Sequence, residues 1–399
     1  MREVYVAGFL RTPFSRSRPR EPERDVFYKI RGDELMATVL DELPRRLGIE
    51  KKDVDRILIG CAFPVYENWV YGGKSPVLLA KYPAEVSTSL IDMQCASSLM
   101  TAIYGYLEIS AGYCDVVIAG GFEHMTRIPM GAENPYVSIN PKLLSEEYKD
   151  YRMDIGFVMG LTAEELFKEA SQEFGLSKRD LDEWGVRSHR YAAKALREGY
   201  FKGEIIPVEA EQADGKKILV ETDQSIRPDT SLEAVEKLPP AFKPGGVITA
   251  GNSSPLNAGA AAIMLMSKEK VKDFGIEPLA KIISYGTAGV PPHVMGKGPV
   301  PSSLKALEKA NLKVKDIDYW EINEAFAVVT LFAIKKLGIE PEKVNVKGGA
   351  IAIGHPLGAT GARLVGTLSR ILKLENKDYG LATACIGGGQ GAAVVLERA

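Results

Sequence analysis

Short, nearly continuous apolar blocks alternate along this chain with longer stretches of helical spacing. Glu3 to Ala7 (EVYVA) predicts a buried strand ended by Gly8. Asp33 to Leu47 carries Leu35, Val39, Leu40 and Leu43 at helical spacing, with Asp33 near its start. DVDRILIGCAFP, from Asp53 to Pro64, predicts a strand opening into a loop, and Ser89 to Met93 predicts another short strand. That strand runs into Gln94-Cys95-Ala96-Ser97-Ser98 and then a helical stretch to about Ala111. Asp115 to Ala119 predicts a buried strand closed by Gly120-Gly121. Strand and helix alternating in this way predict βαβ units and a mostly parallel sheet, an α/β fold.

From Phe122 to about Gly246 the rhythm breaks. This stretch is richer in proline and charge, with helical pieces at Thr162–Glu173 and Leu181–Glu198, and reads as an insertion. The sheet pattern resumes at Val247 to Ala250, followed by the apolar run Ala258 to Met266. The expected division is 1–121 plus 247–273, an inserted loop domain 122–246, and a second half 274–399.

The second half repeats the first. DVDRILIGCAFP, starting at Asp53, aligns without gaps with DIDYWEINEAFA, starting at Asp316; Asp, Asp, Ile, Ala and Phe coincide. At nearly the same offset Cys95 aligns with His355, both read as strand-to-helix junctions. EVYVAGFLRTP likewise faces AKIISYGTAGVPP, from Ala280 to Pro292. Three matches in order point to a duplicated α/β domain. Two equivalent halves related by a pseudo-twofold would bring Cys95 from one against His355 and Asn323 from the other, a nucleophile facing a base.

The densest candidate chemistry lies in KGGAIAIGHPLGATGAR, from Lys347 to Arg363. Ala350 to Ile353 reads as a strand stopped by Gly354, which would deliver His355 to the end of a sheet. His355 is one of only four histidines, and histidine changes charge near neutral pH. A structural, helix-capping histidine is the competing reading. Gly348, Gly349, Gly354, Gly358 and Gly361 argue against it, because close backbone approach suits a bound ligand.

Cys95 precedes a helix whose free N–H groups would favour a thiolate, and its small neighbours leave the sulfur reachable. Its residues alone fit a packed free thiol better. Cys385, in ACIGGGQG, is followed by three glycines that make a poor core and a good cradle of backbone amides. Asn323 follows the strand Tyr319 to Ile322 and could equally be a turn asparagine. Cys61 and Cys114 read as structural; His124, His189 and His293 read as surface or loop histidines. Arg187-Ser188-His189-Arg190 fits a solvated helix face as well as a phosphate site.

Composition narrows the function. The 399 residues are 45% hydrophobic and 26% charged, with net charge −2, so nothing invites nucleic acid or an anionic membrane. The run Ala258–Met266 is far short of the roughly 20 residues of a membrane span. The N-terminus reads as a short charged strand and not as a signal peptide. Four cysteines without paired spacing indicate neither a metal site nor a disulfide framework, and free thiols fit a reducing cytosol.

Taken together, these stretches resemble the thiolases, which make or cleave 3-oxoacyl-CoA. The resemblance covers essentially the whole chain: FLRTPF, MQCASS at Cys95, AGGFEHM, MGLTAE at Met159, FKPGGVITAGNSSPLNAGAAA, PPHVMGKGPVP, NEAFA at Asn323, GGAIAIGHPLGATGAR and CIGGGQG. It implies duplicated βαβαβαββ domains in a five-layered α-β-α-β-α arrangement with an inserted loop domain. It implies Cys95 as acylated nucleophile, His355 as its base and Cys385 as second acid/base. Asn323 would hold a water that, with His355, binds the thioester oxyanion, and the amides of Cys95 and Gly387 would form a second oxyanion hole. It places Arg227, Ser254, Ala250, Met159, Phe242, Met295 and Phe326 along the coenzyme A and acyl path. Coenzyme A would be a substrate, with no tightly bound cofactor, and the protein a cytoplasmic homodimer or homotetramer.

Three departures bear on chain length and leave the chemistry intact. Ala96 follows the nucleophile where Gly or Ser is usual, Val158 stands where acetoacetyl-forming members often carry His, and Ala234 replaces a Ser contact. The competing readings are an acetoacetyl-CoA-forming thiolase, a decarboxylating ketoacyl or hydroxymethylglutaryl-type synthase, and a non-catalytic acyl-CoA carrier. The synthases lack a second cysteine in a CIGGGQG loop, and a carrier need not keep Cys95, His355 and Cys385.

Overall fold

A computed structural model describes residues 2–131, 134 and 137–399. The first half runs through β1 (Val4–Arg11), β2 (Ser15–Arg16), α1 (Gly32–Leu47), β3 (Arg56–Gly60), α2 (Lys74–Leu79), β4 (Ser87–Ile91), α3 (Ser97–Ser110) and β5 (Val116–His124). Next come α4 (Met153–Gly156), α5 (Met159–Phe174), α6 (Lys178–Arg197), the paired strands β6 (Val208–Glu211) and β7 (Lys217–Val220), and α7 (Leu232–Glu236). β8 (Asn257–Ser267) then returns to the sheet. After α8 (Lys268–Asp273), the second half comprises β9 (Ala280–Gly289), α9 (Pro299–Ala310), β10 (Tyr319–Ile322), α10 (Ala327–Leu337), α11 (Ala350–Ile353), α12 (Leu357–Leu374), β11 (Tyr379–Ile386) and β12 (Gln390–Arg398).

The strand order is β4-β3-β5-β8-β1 in the first half and β10-β11-β12-β9 in the second. The repeat reaches individual bonds. Arg56 on β3 faces Val117, and Tyr319 on β10 faces Gly380, both in parallel pairing. Asp55 Oδ2 accepts from the N–H groups of Asp115 and Val116 (2.7 and 2.8 Å), and Asp318 Oδ2 accepts from those of Asp378 and Tyr379 (2.9 and 3.0 Å). These are the second aspartates of DVD and DID. A single parallel bridge, Trp320 to Val344, takes the place of the β3–β4 pairing.

Packing builds five layers. α1 covers the outer sheet face of the first half, where Leu35, Met36, Val39 and Leu40 meet Ile57, Ile59, Ile118 and Met264. α9 and α10 cover the corresponding face of the second half around Leu307, Val328, Trp320 and Val395. Between the sheets lie α3 and α12, buried together with Leu99, Ile103, Leu364, Leu368, Ile263 and Val394 in one cluster. α12 is buried without a break from Leu357 to Ser369, Arg363 included, as a central layer requires.

Several local expectations are corrected. The sheet is mixed: β8 and β12 run antiparallel to their neighbours. β11 and β12 are joined by a tight Gly387–Gly389 turn, too short for the crossover that parallel strands need. β1 continues through Gly8 across a bulge, and β5 continues through Gly120-Gly121 to His124. The sheet resumes at Asn257; Val247 to Ala250 makes only a bridge, Thr249 to Pro240. Ala350–Ile353 is a one-turn helix, so His355 sits between two helices. Its alternating Ala and Ile residues are all buried, so the period-two signal that marks a half-exposed strand is absent.

The α12 glycines serve packing. A Cβ on Gly358 would collide with the carbonyl of Phe122, and one on Gly361 with the backbone nitrogen of Leu99 at the start of α3. This backbone contact with protein overturns the expectation that Gly358 and Gly361 make room for a bound ligand. Gly361→Val is expected to lower stability by about 3 kcal/mol through overpacking. The check is a urea titration, and a midpoint equal to the parent's would contradict it.

Candidate active site

His355 is held from both sides of the chain. Gly354 adopts φ 119°, in the half of conformational space that favours glycine, and turns the chain between α11 and α12. The His355 N–H donates to Asn257 Oδ1 at 2.8 Å. On the ring, Nδ1 lies 2.6 Å from Thr360 Oγ1, whose own hydroxyl donates to the Pro356 carbonyl at 2.8 Å. A hydroxyl has one proton, so Thr360 accepts from His355 and the imidazole proton sits on Nδ1. Nε2 keeps its lone pair and accepts from Asn323 Nδ2 at 3.2 Å. Burial pushes the imidazole down to about 3, and the charge of Arg363 acts in the same direction. His355 is therefore a neutral ring with Nε2 as its basic atom.

Thr360 fixes that tautomer. Thr360→Val is expected to lower turnover about 10- to 100-fold, as removing the partner of a working imidazole does elsewhere. Thr360→Ser should restore it. Steady-state rates of the three proteins decide, and an undiminished rate in the valine variant would remove Thr360 from the site.

Asn323 follows β10 directly, and its N–H donates to the Thr383 carbonyl on β11 at 2.9 Å. Its Oδ1 is buried and has no partner among the described residues. The next residue, Glu324, is buried and accepts from Trp184 Nε1 (2.9 Å), Ser188 Oγ (2.6 Å), Asn345 Nδ2 (2.9 Å) and the Ile351 N–H (3.2 Å). It ties the Asn323 loop to α6 and to α11, the helix leading into His355.

Cys95 lies on the turn Gln94–Ala96 that opens α3, and is 7% exposed. Ala62, Phe63, Met125 and Leu357 pack around it, and Leu357 is two residues past His355. Burial pushes its thiol up to about 11, while the N–H groups of Gly387 and of Cys95 itself point at the sulfur and pull the other way. The expected thiolate at a helix N-terminus is thus corrected: burial outweighs the amides and the resting group is the thiol. Cys385 is buried near the end of β11, its thiol pushed well up by burial and then by the neighbouring Cys95. Cys95, Gly387 and Cys385 therefore share one small volume.

The remaining candidates form a second group. The Ser254 hydroxyl donates to the Ala325 carbonyl at 3.1 Å, and Phe242 stands edge-on to Phe326 with ring centroids 5.9 Å apart. Phe242 also lies over Gly160, and the sulfur of the adjacent Met159 would be 3.3 Å from a Cβ on Gly387, so this wall reaches the glycine turn. Ala250 is exposed, and Met295 is buried in the core with Phe326. Arg227 is exposed, its N–H donating to His189 Nδ1 at 3.2 Å.

His124 and His189 are buried, contrary to expectation, with His124 Nε2 3.1 Å from the Phe27 carbonyl. Arg187 donates to the carbonyls of Pro341 and Val344 and stacks on Trp184 and Tyr191, so it braces the chain and its phosphate reading falls. The sequence reading missed Asn257, Thr360 and Glu324. Glu324 carried a signal, a second carboxylate after Glu321 in the largely apolar segment Tyr319 to Val329. Thr360 and Asn257 carried none, because their roles depend on tertiary contact.

Two copies of one α/β unit thus bring two cysteines, a histidine and an asparagine to the ends of their strands and central helices, the arrangement of a cysteine-dependent acyltransferase. Residues 4–269 match the N-terminal domain of thiolase and residues 276–398 its C-terminal domain. The chain is 40% identical over 405 residues to the 3-ketoacyl-CoA thiolase of Bacillus subtilis (strain 168), covering 100% of both proteins. It is also 40% identical over 405 residues to the acetyl-CoA acetyltransferase of Syntrophomonas wolfei, covering 99% of each. Human mitochondrial 3-ketoacyl-CoA thiolase superposes with a TM-score of 0.88 at 32% identity, over 100% of this chain and 99% of that one. Its complex with CoA superposes at 0.87, over 100% and 98%. The chain belongs to the thiolase family. No described helix is long and apolar enough to cross a membrane.

Proposed function

We propose that this thiolase cleaves 3-oxoacyl-CoA with coenzyme A to acetyl-CoA and a shortened acyl-CoA, reversibly, through an acyl thioester on Cys95. The observation that carries the reading is that Cys95 packs with Leu357, two residues past a His355 whose Nδ1 is held by Thr360 and whose Nε2 is left to accept from Asn323. In thiolysis, His355 Nε2 takes the Cys95 proton as the sulfur attacks the keto carbon. The bond between the keto carbon and the α-carbon breaks, leaving acyl-Cys95 and the enolate of acetyl-CoA. His355 and a water on Asn323 hold the enolate oxygen, and the Cys385 thiol protonates its α-carbon. Coenzyme A then enters and gives its thiol proton to Cys385. Its sulfur attacks the acyl thioester, whose oxyanion faces the amides of Cys95 and Gly387, and Cys95 leaves with the proton from His355.

Residues 122–246 are read as the loop domain that binds coenzyme A between the halves 1–121 plus 247–273 and 274–399. Arg227 faces the nucleotide; Ser254 and Ala250 face the pantetheine; Met159, Phe242, Met295 and Phe326 face the acyl chain. Val158 beside Met159 favours 3-oxoacyl chains longer than acetoacetyl. Coenzyme A is a substrate here and not a resident cofactor, and the working form is a cytoplasmic homodimer or homotetramer.

The test is thiolysis of 3-oxoacyl-CoA esters of increasing chain length with coenzyme A, followed at the thioester enolate absorbance. Turnover at one or more lengths is expected. Inactivity at every length would overturn the proposal.

A further inference from the structure

Glu123, near the end of β5, is fully buried in the first half and has no part in the steps above. One of its oxygens, Oε2, accepts two backbone N–H groups, from Ala62 at 2.8 Å and from Gly358 at 3.0 Å. The other, Oε1, lies 3.3 Å from Asn68 Nδ2 and 3.5 Å from Cys61 Sγ. All four partners are donors, a set that only an ionised carboxylate satisfies in full. Burial pushes the group up to about 7, and the amides of Ala62 and Gly358 lead the opposing effects.

The two amides on Oε2 lead to the two reacting side chains. Ala62 belongs to the loop after β3, and its carbonyl accepts from Gln94 Nε2 at 3.0 Å, one residue from Cys95. Gly358 is the second residue of α12, three past His355, and its N–H is one of those that a helix start leaves without an internal partner. A carboxylate there also meets the positive end of an 18-residue helix. The nucleophile comes from the first half and the base from the second, and one oxygen atom joins the backbone beside each.

We infer that Glu123 is a positioning residue that sets the separation of Cys95 and His355. The inference rests on the reading of those two residues as nucleophile and base. Glu123→Gln keeps the length of the side chain and an oxygen able to accept both amides, so it retains the two links without the charge. Glu123→Asp keeps the charge but is one methylene short of the span. Glu123→Ala removes both links.

The experiment measures kcat and KM of thiolysis and the rate at which iodoacetamide alkylates Cys95 at neutral pH, with His355→Ala as the control. Thermal melts establish which variants are folded. Glu123→Asp and Glu123→Ala are expected to lose at least tenfold in kcat and in alkylation rate with KM within twofold, and Glu123→Gln to stay within threefold of the parent. If Glu123→Ala does not fold, the Asp and Gln variants decide the matter between them. Asp as fast as the parent, or Gln as slow as Asp, overturns the inference. Slow alkylation in His355→Ala with unchanged rates in Glu123→Asp overturns the inference alone. An unaffected His355→Ala overturns the reading of the base and the inference with it.

Discussion

With Cys95 proposed as the acylated nucleophile, Cys95→Ala is expected to leave the protein folded and able to bind acyl-CoA while lowering thiolysis by roughly four orders of magnitude or more. The substitution removes one sulfur from a pocket formed by Ala62, Phe63, Met125 and Leu357 and leaves the Cβ in place, so stability changes little. Intact-mass spectrometry after incubation with acetyl-CoA provides the direct reading. The parent should gain one acetyl group and the variant none. An adduct that persists on the variant would place the nucleophile elsewhere. Cys385, a thiol close enough to be influenced by Cys95, is the alternative to check first.

Cys385→Ala should separate the two halves of the reaction. Transfer from acetyl-CoA to Cys95 releases a thiolate that leaves readily without help, so the acetyl adduct should still form. Condensation and cleavage require proton transfer at the α-carbon of a thioester, a far weaker acid, and a positioned acid or base contributes on the order of 10²- to 10⁴-fold there. Loss of turnover in that range with retained acetylation is the expected pattern. Unchanged turnover would remove Cys385 from the mechanism. Burial holds the Cys385 thiol well above its usual range. Folding stability linked to this group is therefore present below the ordinary cysteine range and is lost as pH rises above it.

Much of this was legible in the residues, for physical reasons that differ from place to place. The duplication was visible at the ends of the strand more than along it: DVDRILIGCAFP and DIDYWEINEAFA share both aspartates before the strand, one isoleucine within it, and the Ala and Phe after it. Asp55 and Asp318 match because each accepts the two N–H groups at the start of the neighbouring strand in its half. His355 was legible from the company of glycines, but for the wrong reason. Gly358 and Gly361 sit where α12 presses its backbone against β5 and α3, and only the folded chain reveals which surface a glycine admits. Ala350–Ile353 was misread because four buried residues carry no periodicity to separate a strand from a helix turn. The protonation of Cys95 was out of reach, since a helix start argues for a thiolate and only the enclosure observed in the fold shows that desolvation outweighs it.

The antiparallel seam between β1 and β9 pairs Val4 with Ile282, Tyr5 with Lys281 and Val6 with Ala280, three contacts symmetric about the middle pair. That is the contact two identical chains make across a twofold axis, where the middle residue faces its own copy and its neighbours exchange partners. A homodimer built in this way would have to present the same side chain at the start of α3 and at the start of α12. Linking the copies in one polypeptide lifted that restriction. The equivalent positions could then diverge, one becoming a thiol and the other an imidazole. The asymmetry that acyl transfer requires is the product of a broken symmetry whose seam is still closed.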